Sequence, residues 1–346
     1  MKKILSIIIP TYNMETLLPR CLDSLIVNEG IEKLEIWVVN DGSKDKSSDI
    51  GHQYEYKYPG IINVIDKNNG NYGSCINAAL PRCTGKYVKV LDSDDYFNSE
   101  TLIYDIEILE NLDVDLMIND FEYVSERRKH KKKQSYSIPS NTIMHLSEII
   151  GMPNVISAIQ MHAIIYNKKI FDGMWYKQSE CMSYTDQEWV FEPIARCQSC
   201  YYLDRPLYFY NICREGQTMD RSQIIKNYDS IIRMTENLIL TYEKAIGLTV
   251  CNNDYLKRRL LEIVKTRYRQ CLLTYKKNIN EEVIISFDSF LNTHASDIYK
   301  ELDGEYISSL FAYKYVRDWR NENNILFRIF SSCVYYLNMI RLSIKK

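Results

Sequence analysis

Between Leu5 and Ile118, five apolar runs of β character alternate with segments whose apolar residues recur every three to four positions. The runs are Leu5–Ile9, Glu35–Val39, Ile61–Ile65, Tyr87–Leu91 and Val114–Ile118. Strands this apolar are buried on both faces, which a mostly parallel sheet achieves when helices cover each side. The intervening segments fit that role. Leu17, Leu18, Cys21, Leu22, Leu25 and Ile26 have helical spacing, with Pro19 near the start. A short helix is expected around Ser74–Ala79, and Ser99 is expected to cap a helix carrying Leu102, Ile103, Ile106 and Leu109. The predicted class is α/β, a Rossmann-like sheet with flanking helices.

The pattern changes twice further on. After Ser125 comes Glu126-Arg127-Arg128-Lys129-His130-Lys131-Lys132-Lys133, which reads as a solvated hairpin tip or as a contact for an anionic partner. Mixed strand and loop follow to about Ile212. From about Gln223 the chain is helical almost throughout, with Ile231, Met234 and Leu238, then Leu260, Leu261 and Val264, at amphipathic spacing. A boundary near residue 220 is expected, giving domains 1–220 and 221–346.

At 346 residues the chain can hold one large domain or two. Its formal net charge of −2 argues against broad nucleic-acid binding. No run reaches the ~20 apolar residues that cross a bilayer. Met1-Lys2-Lys3 is basic, but the apolar run after it ends at Pro10, too soon for a secretory signal. A cytoplasmic location with reduced cysteines is therefore expected. Cys197-Gln198-Ser199-Cys200 lacks the second pair or the histidine partner that a zinc site needs.

In open α/β sheets, ligands bind beyond the carboxyl ends of the strands. Three such ends carry polar clusters here: Thr11-Tyr12-Asn13, Asn40-Asp41-Gly42-Ser43 and Asp92-Ser93-Asp94-Asp95. Each could be turn chemistry alone. Crowded carboxylates, however, need a compensating cation or hydrogen bonds. Mg²⁺ and Mn²⁺ suit oxygen ligands and bring diphosphates with them. Tyr12 could stack on a base, Asp41 accept from a base N–H, Asp92 reach a ribose and Asp94 a metal.

Together, Ser6-Ile7-Ile8-Ile9-Pro10-Thr11-Tyr12-Asn13, Val38-Val39-Asn40-Asp41-Gly42-Ser43-Lys44-Asp45, Asn69-Gly70-Asn71-Tyr72-Gly73 and Gly85–Asp95 resemble the family 2 glycosyltransferases of GT-A fold. The resemblance covers about the first 120 residues, thins through 125–215 and does not reach the C-terminal helices. It implies a nucleotide-sugar half at about 1–120 and an acceptor half at about 121–220. The donor site would comprise Pro10, Thr11, Tyr12, Asn13, Asp41, Lys67, Asp92, Ser93 and Arg214, the last in a loop, Arg214-Glu215-Gly216-Gln217-Thr218, that closes over the diphosphate. Asp94 would hold Mn²⁺ or Mg²⁺. In Tyr184-Thr185-Asp186-Gln187-Glu188-Trp189, Asp186 would be the general base. The implied reaction is metal-dependent, inverting transfer from a nucleoside-diphosphate sugar, UDP-sugars favoured, to a glycan or lipid-linked acceptor in cell-surface polysaccharide synthesis. The sequence departs from the family pattern at Asn40, at Ile76 and at Thr185. Thr185 and Glu188 also read as a capping box, which would leave Asp186 a helix-terminus residue.

Other readings fit less well. A nucleotidyltransferase needs a Gly-rich basic loop after strand one, and a dinucleotide dehydrogenase needs Gly-x-Gly-x-x-Gly there. Pro10-Thr11-Tyr12-Asn13-Met14 is neither. A non-catalytic scaffold of the same fold remains the alternative. The apolar tail, Ile325–Phe330 and Val334–Leu342 ending in Lys345-Lys346, is expected either to lie on the cytoplasmic membrane or to pack as a final helix.

Overall fold

The computed structural model describes residues 2–125, 130–153, 155–172, 176–212, 221–246, 252–306, 313–321 and 325–344. The chain divides into two compact units, Met1–Gln217 with Val250–Asn252, and Thr218–Thr249 with Asn253–Lys346.

The first unit is built on one ten-stranded sheet. Its elements begin with β1 (Leu5–Thr11), α1 (Leu18–Asp23), β2 (Leu34–Asn40), α2 (Ser47–Lys57), β3 (Ile62–Asp66), α3 (Asn71–Ala79), β4 (Tyr87–Val90) and β5 (Tyr96–Phe97). They continue with α4 (Ser99–Asn111), β6 (Leu116–Ser125), β7 (His130–Gln134), β8 (Ile143–His145), α5 (Leu146–Ile150) and α6 (Val155–Ala158). Last come β9 (Ile164–Asn167), α7 (Asp186–Trp189), α8 (Glu192–Arg196) and β10 (Ser199–Asn211). The strand order is β3-β2-β1-β4-β9-β6-β10-β5. β1 lies parallel to β2 and β4, β2 to β3, and β6 to β10. All seven residues of β1 and all four of β4 are buried, as a doubly covered sheet requires.

β9 departs from the expected parallel order. It runs antiparallel to both β4 and β6, inserted between them. Two helix ends also differ from expectation. α1 stops at Asp23, so Leu25 and Ile26 follow it in a turn, although Leu25 is still fully buried. The cap of α4 is Asn98, whose side chain accepts from Glu100 N and Thr101 N, and Ser99 is the first helical residue. Both residue types cap well. Asn98 wins because its backbone is extended where the cap needs it (φ −78°, ψ 111°), while the Ser99 hydroxyl donates to the Ser24 carbonyl instead.

The second unit is helical: α9 (Arg221–Lys226), α10 (Tyr228–Ala245), α11 (Asn253–Arg269), α12 (Glu281–His294), α13 (Ser296–Glu301), α14 (Tyr315–Arg320) and α15 (Ile325–Ile344). Arg320 organises its centre. The guanidinium reaches Asp288 at 2.7 Å, Asp303 at 2.7 Å and the Tyr299 carbonyl at 2.9 Å, and it lies 3.5 Å from the centre of the Tyr299 ring. Among the residues of α15 whose burial is described, a narrow stripe is buried, Phe327, Ser331 and Tyr335, one helical turn apart. Lys276 anchors that stripe by donating to the Ser331 hydroxyl at 2.5 Å.

Candidate active site

The parallel strands β1, β2 and β4 all end at one edge, and their carboxyl ends carry the polar clusters. Asp41, just past β2, is buried. Its Oδ1 accepts from Lys67 Nζ at 2.6 Å and from the Gly70 amide at 2.9 Å. Lys67 also donates to the Ser74 hydroxyl at 2.7 Å. Asp41 and Lys67, both singled out in the sequence, thus form one partly buried ion pair. Asn13 clamps the same edge. It takes a left-handed backbone (φ 53°), its side chain accepts from Lys44 N at 2.8 Å, and its own backbone amide donates to the Ser43 hydroxyl at 3.0 Å. Pro10 is buried in β1, and the Thr11 hydroxyl turns back to the Ile9 carbonyl. Tyr12 offers the group an open aromatic face, with 46% of its area exposed.

The Asp92–Asp95 turn follows β4. Its backbone closes by a bond from Asp95 N to the Asp92 carbonyl. Two residues of β10 tie it down. The Tyr208 hydroxyl donates to Asp95 Oδ2 at 2.7 Å and receives Asp92 N at 3.1 Å, while the Asn211 amide donates to Asp95 Oδ1 at 2.7 Å. From α1, Arg20 donates to the Asp94 carbonyl at 3.0 Å. Ser93 is buried inside the turn. Burial, with the charges of Asp94 and Asp186, pushes Asp92 well above the usual carboxylate range, and the Tyr72 and Tyr208 hydroxyls oppose that shift.

Side chains able to ligate a cation meet here. One ligand atom each of Asp92, Asp95 and His162 lie within 4.8 Å of one another. Asp94 is not in that trio. Among the described residues, Asp92 Oδ1 and His162 Nδ1 are buried and accept no hydrogen bond from the protein. Orphaned buried acceptors of this kind need a cation or a ligand donor. The site therefore fits a divalent ion of the Mn²⁺ or Mg²⁺ type. Burial pulls His162 down to about 3, with Lys89 adding to the effect, so the ring is neutral. Lys89 lies beneath the site in β4, fully buried, and holds the turn bearing His162 by donating to the His162 and Ile164 carbonyls at 2.8 and 3.1 Å.

Asp186 enters from the other side, at the first turn of α7. Its charge acts on Asp92, Tyr72 and Tyr210, which places it at the same centre. The capping box does not form. Thr185 makes no capping bond, and Glu188 instead accepts from the amide and hydroxyl of Ser179 at 2.7 and 2.6 Å. α7 is held by Trp189, stacked on Phe171 at 5.4 Å and fixed by the Tyr166 hydroxyl on its carbonyl. Asp186 is therefore presented by a structured strap running over α3. From α3, Asn77 donates to the Gln178 carbonyl and to Glu180 of that strap, and Cys181 N donates to the Gly70 carbonyl. Cys181 and Tyr184 take left-handed backbones (φ 58° and 68°), a cost that side chains bear where the surroundings enforce it.

Gly73 is where the strap touches α3. A Cβ there would sit 2.2 Å from the Ser179 carbonyl oxygen. Gly73→Ala is expected to lift the strap and cost about 1–3 kcal/mol. Thermal unfolding checks the stability. Faster hydrogen exchange at Ser179 and Cys181 checks the location, and unchanged exchange there would refute the contact.

The family model described as Glycosyl transferase family 2 matches residues 6–174. An uncharacterized glycosyltransferase of Mycoplasma genitalium is 30% identical over 224 residues, 64% of this chain and 72% of that relative. The chain belongs to glycosyltransferase family 2. A second relative of this glycosyltransferase is the poly(ribitol-phosphate) beta-N-acetylglucosaminyltransferase TarS of Staphylococcus aureus. It is 26% identical over 220 residues, 63% of this chain but only 37% of TarS. The crystal structure of Staphylococcus aureus TarS 1-349 in complex with UDP-GlcNAc superposes with a TM-score of 0.63 at 19% identity, over 85% of this chain and 82% of that one. That likeness establishes the GT-A fold.

Set on this family 2 enzyme, the sequence-predicted residues divide. Tyr12, Asp41, Lys67, Asp92, Ser93, Asp94 and Asp186 lie along one edge or face its centre. Arg214 and its loop lie outside the described residues. Arg20, Tyr72, His162, Tyr208 and Tyr210 were not foreseen. Their partners lie on other elements, up to 116 residues away, and no local pattern marks them.

Proposed function

We propose that this glycosyltransferase moves a sugar from a nucleoside-diphosphate sugar, UDP-sugars favoured, to a hydroxyl of a cell-surface glycan, with inversion at the anomeric carbon. The observation that carries this is that Asp186, from the second half of the unit, lies close enough for its charge to act on Asp92, as the charge of Asp94 does. That supports a base supplied by the acceptor half to a donor bound at the Asp92–Asp95 turn. Tyr12 would take the base face and Asp41 its N–H edge. Asp92 and Ser93 would meet ribose and phosphate. Asp94 and Asp92, with His162 close by, would hold the ion. When bound, a divalent cation offsets the charge that gathers on the leaving diphosphate. Asp186 would accept the acceptor hydroxyl's proton as the new bond forms. The relatives named as poly(ribitol-phosphate) glycosyltransferases support the choice of a surface glycan.

The test is a panel of nucleotide sugars with Mn²⁺, read by thermal shift and by release of the nucleoside diphosphate. A UDP-sugar is expected to raise the melting temperature and to be hydrolysed slowly. If none stabilises the protein and none is cleaved, the chain is a scaffold.

Peripheral membrane attachment through α15 belongs to the same reading. No described helix is long and apolar enough to cross a membrane. Yet α15 leaves Leu326, Ile329, Leu337 and Ile340 more than half exposed and carries Arg328 and Arg341 with no acid in its 20 residues. That pairing of apolar face and cations suits an anionic surface. Removing residues 325–346 is expected to end co-sedimentation with anionic vesicles. Failure of the full chain to sediment with them removes this part of the reading.

A further inference from the structure

We propose that the acceptor is a polyanion, a phosphodiester-linked polyol or sugar chain, guided into the site by a row of side chains on one sheet face: Tyr210, Tyr123 and Lys132. This rests on the glycosyl-transfer reading above and adds the acceptor's class and path. In the register, Tyr210 of β10 lies opposite Tyr123 of β6, and Tyr123 lies opposite Lys132 of β7. Directly opposed residues share a face. The two tyrosine rings are 5.7 Å apart. Strands lie ~4.8 Å apart, so the row spans roughly 10 Å.

The inner end of the row is at the chemistry. Tyr210 stacks on His162 at 4.4 Å, and its hydroxyl is raised by burial and by the charges of Asp95, Asp92, Asp94 and Asp186. The middle suits a polyhydroxylated chain. Both tyrosines are only half-buried, and Gln160 donates to the Tyr123 hydroxyl at 3.2 Å, which adds an amide beside the rings. The outer end is cationic and exposed. Lys132 differs from its neighbours, which alternate onto the other face. There Lys133 pairs with buried Asp120 at 2.7 Å, and Lys131 lies 5.2 Å from the centre of the Phe209 ring. Lys131 and Lys133 thus serve the sheet, whereas Lys132 stands beside the aromatic path. Lysines on an edge strand also deter unwanted strand pairing. Glutamate deters it equally, so charge reversal separates guarding the edge from binding a polyanion.

The experiment uses the full chain and a labelled poly(ribitol phosphate) oligomer, followed by fluorescence anisotropy. Wild type is expected to bind it with an affinity that falls as salt rises, and to ignore neutral dextran. Lys132→Glu should weaken binding by roughly tenfold or more, the scale on which phosphate contacts act. Lys132→Arg should keep binding within about threefold, and Lys131→Glu should change it less than about threefold, as one contact on the wrong face. UDP release from UDP-GlcNAc without acceptor should be unchanged in Lys132→Glu. Three results overturn the proposal: wild-type binding in Lys132→Glu, equal loss in Lys131→Glu, or single-stranded DNA of matched charge binding as tightly as the oligomer. A wild type that binds the oligomer as described but never releases UDP leaves the row standing and overturns the transfer reading.

Discussion

Asp186→Asn is expected to cut sugar transfer by roughly 10²–10⁴-fold, the usual worth of a general base, while UDP-sugar affinity stays near wild type. The substitution keeps size and hydrogen-bonding capacity but removes the basic lone pair. The structure makes it a clean test of chemistry. α7 is held by Trp189 and by the grip of Glu188 on Ser179, neither of which depends on residue 186. Loss of fold is therefore not the expected route to inactivity. Initial rates and donor titrations on the same preparation check it. Turnover near wild type would reduce Asp186 to a helix-terminus residue.

Asp94→Ala is expected to abolish the metal-dependent part of UDP binding without unfolding the protein. Arg20 holds the backbone carbonyl of Asp94, so the turn keeps that tie in the variant. A ligand at a hundredfold excess over its dissociation constant stabilises the native state by about 2.7 kcal/mol, and that increment should vanish in the variant. Asp95→Asn serves as the contrast. Its two oxygens already accept from Tyr208 and Asn211, so the amide disturbs the turn. An unpartnered buried donor or acceptor costs about 1–3 kcal/mol. Melting curves with and without UDP and Mn²⁺ separate the two. Full Mn²⁺-dependent stabilisation in Asp94→Ala would move the ion to Asp92, Asp95 and His162.

What could be read from the chain follows its physics. β1, β2 and β4 announce themselves because strands buried on both faces cannot hide their apolarity. The clusters at their ends stand out because three carboxylates in four residues need a reason. β9 was invisible as an inserted antiparallel strand. Its four residues, Ile164–Asn167, have no partner nearby in sequence, and β4 and β6 specify its direction across the sheet. The turn at His162 was equally opaque. A lone histidine among apolar residues carries no periodic signal, and Lys89, 73 positions earlier, is what fixes its place. The α4 cap was misplaced by one residue because Asn98 and Ser99 are both good caps, and only the backbone angles choose between them.

The hold of β10 on the carboxylate turn has a consequence for how the enzyme is made. Asp95 is bonded by Asn211, 116 residues further along the chain. At typical synthesis rates of about 5–20 residues per second, roughly 6–23 s separate their emergence. A nascent chain carrying all three strand-end clusters would therefore lack the clamp that shapes the Asp92–Asp95 turn. If the turn binds the nucleotide sugar as proposed, the cell's pool of it would meet a shaped site only once β10 has been translated, so capture of the sugar would report completion of the whole sheet.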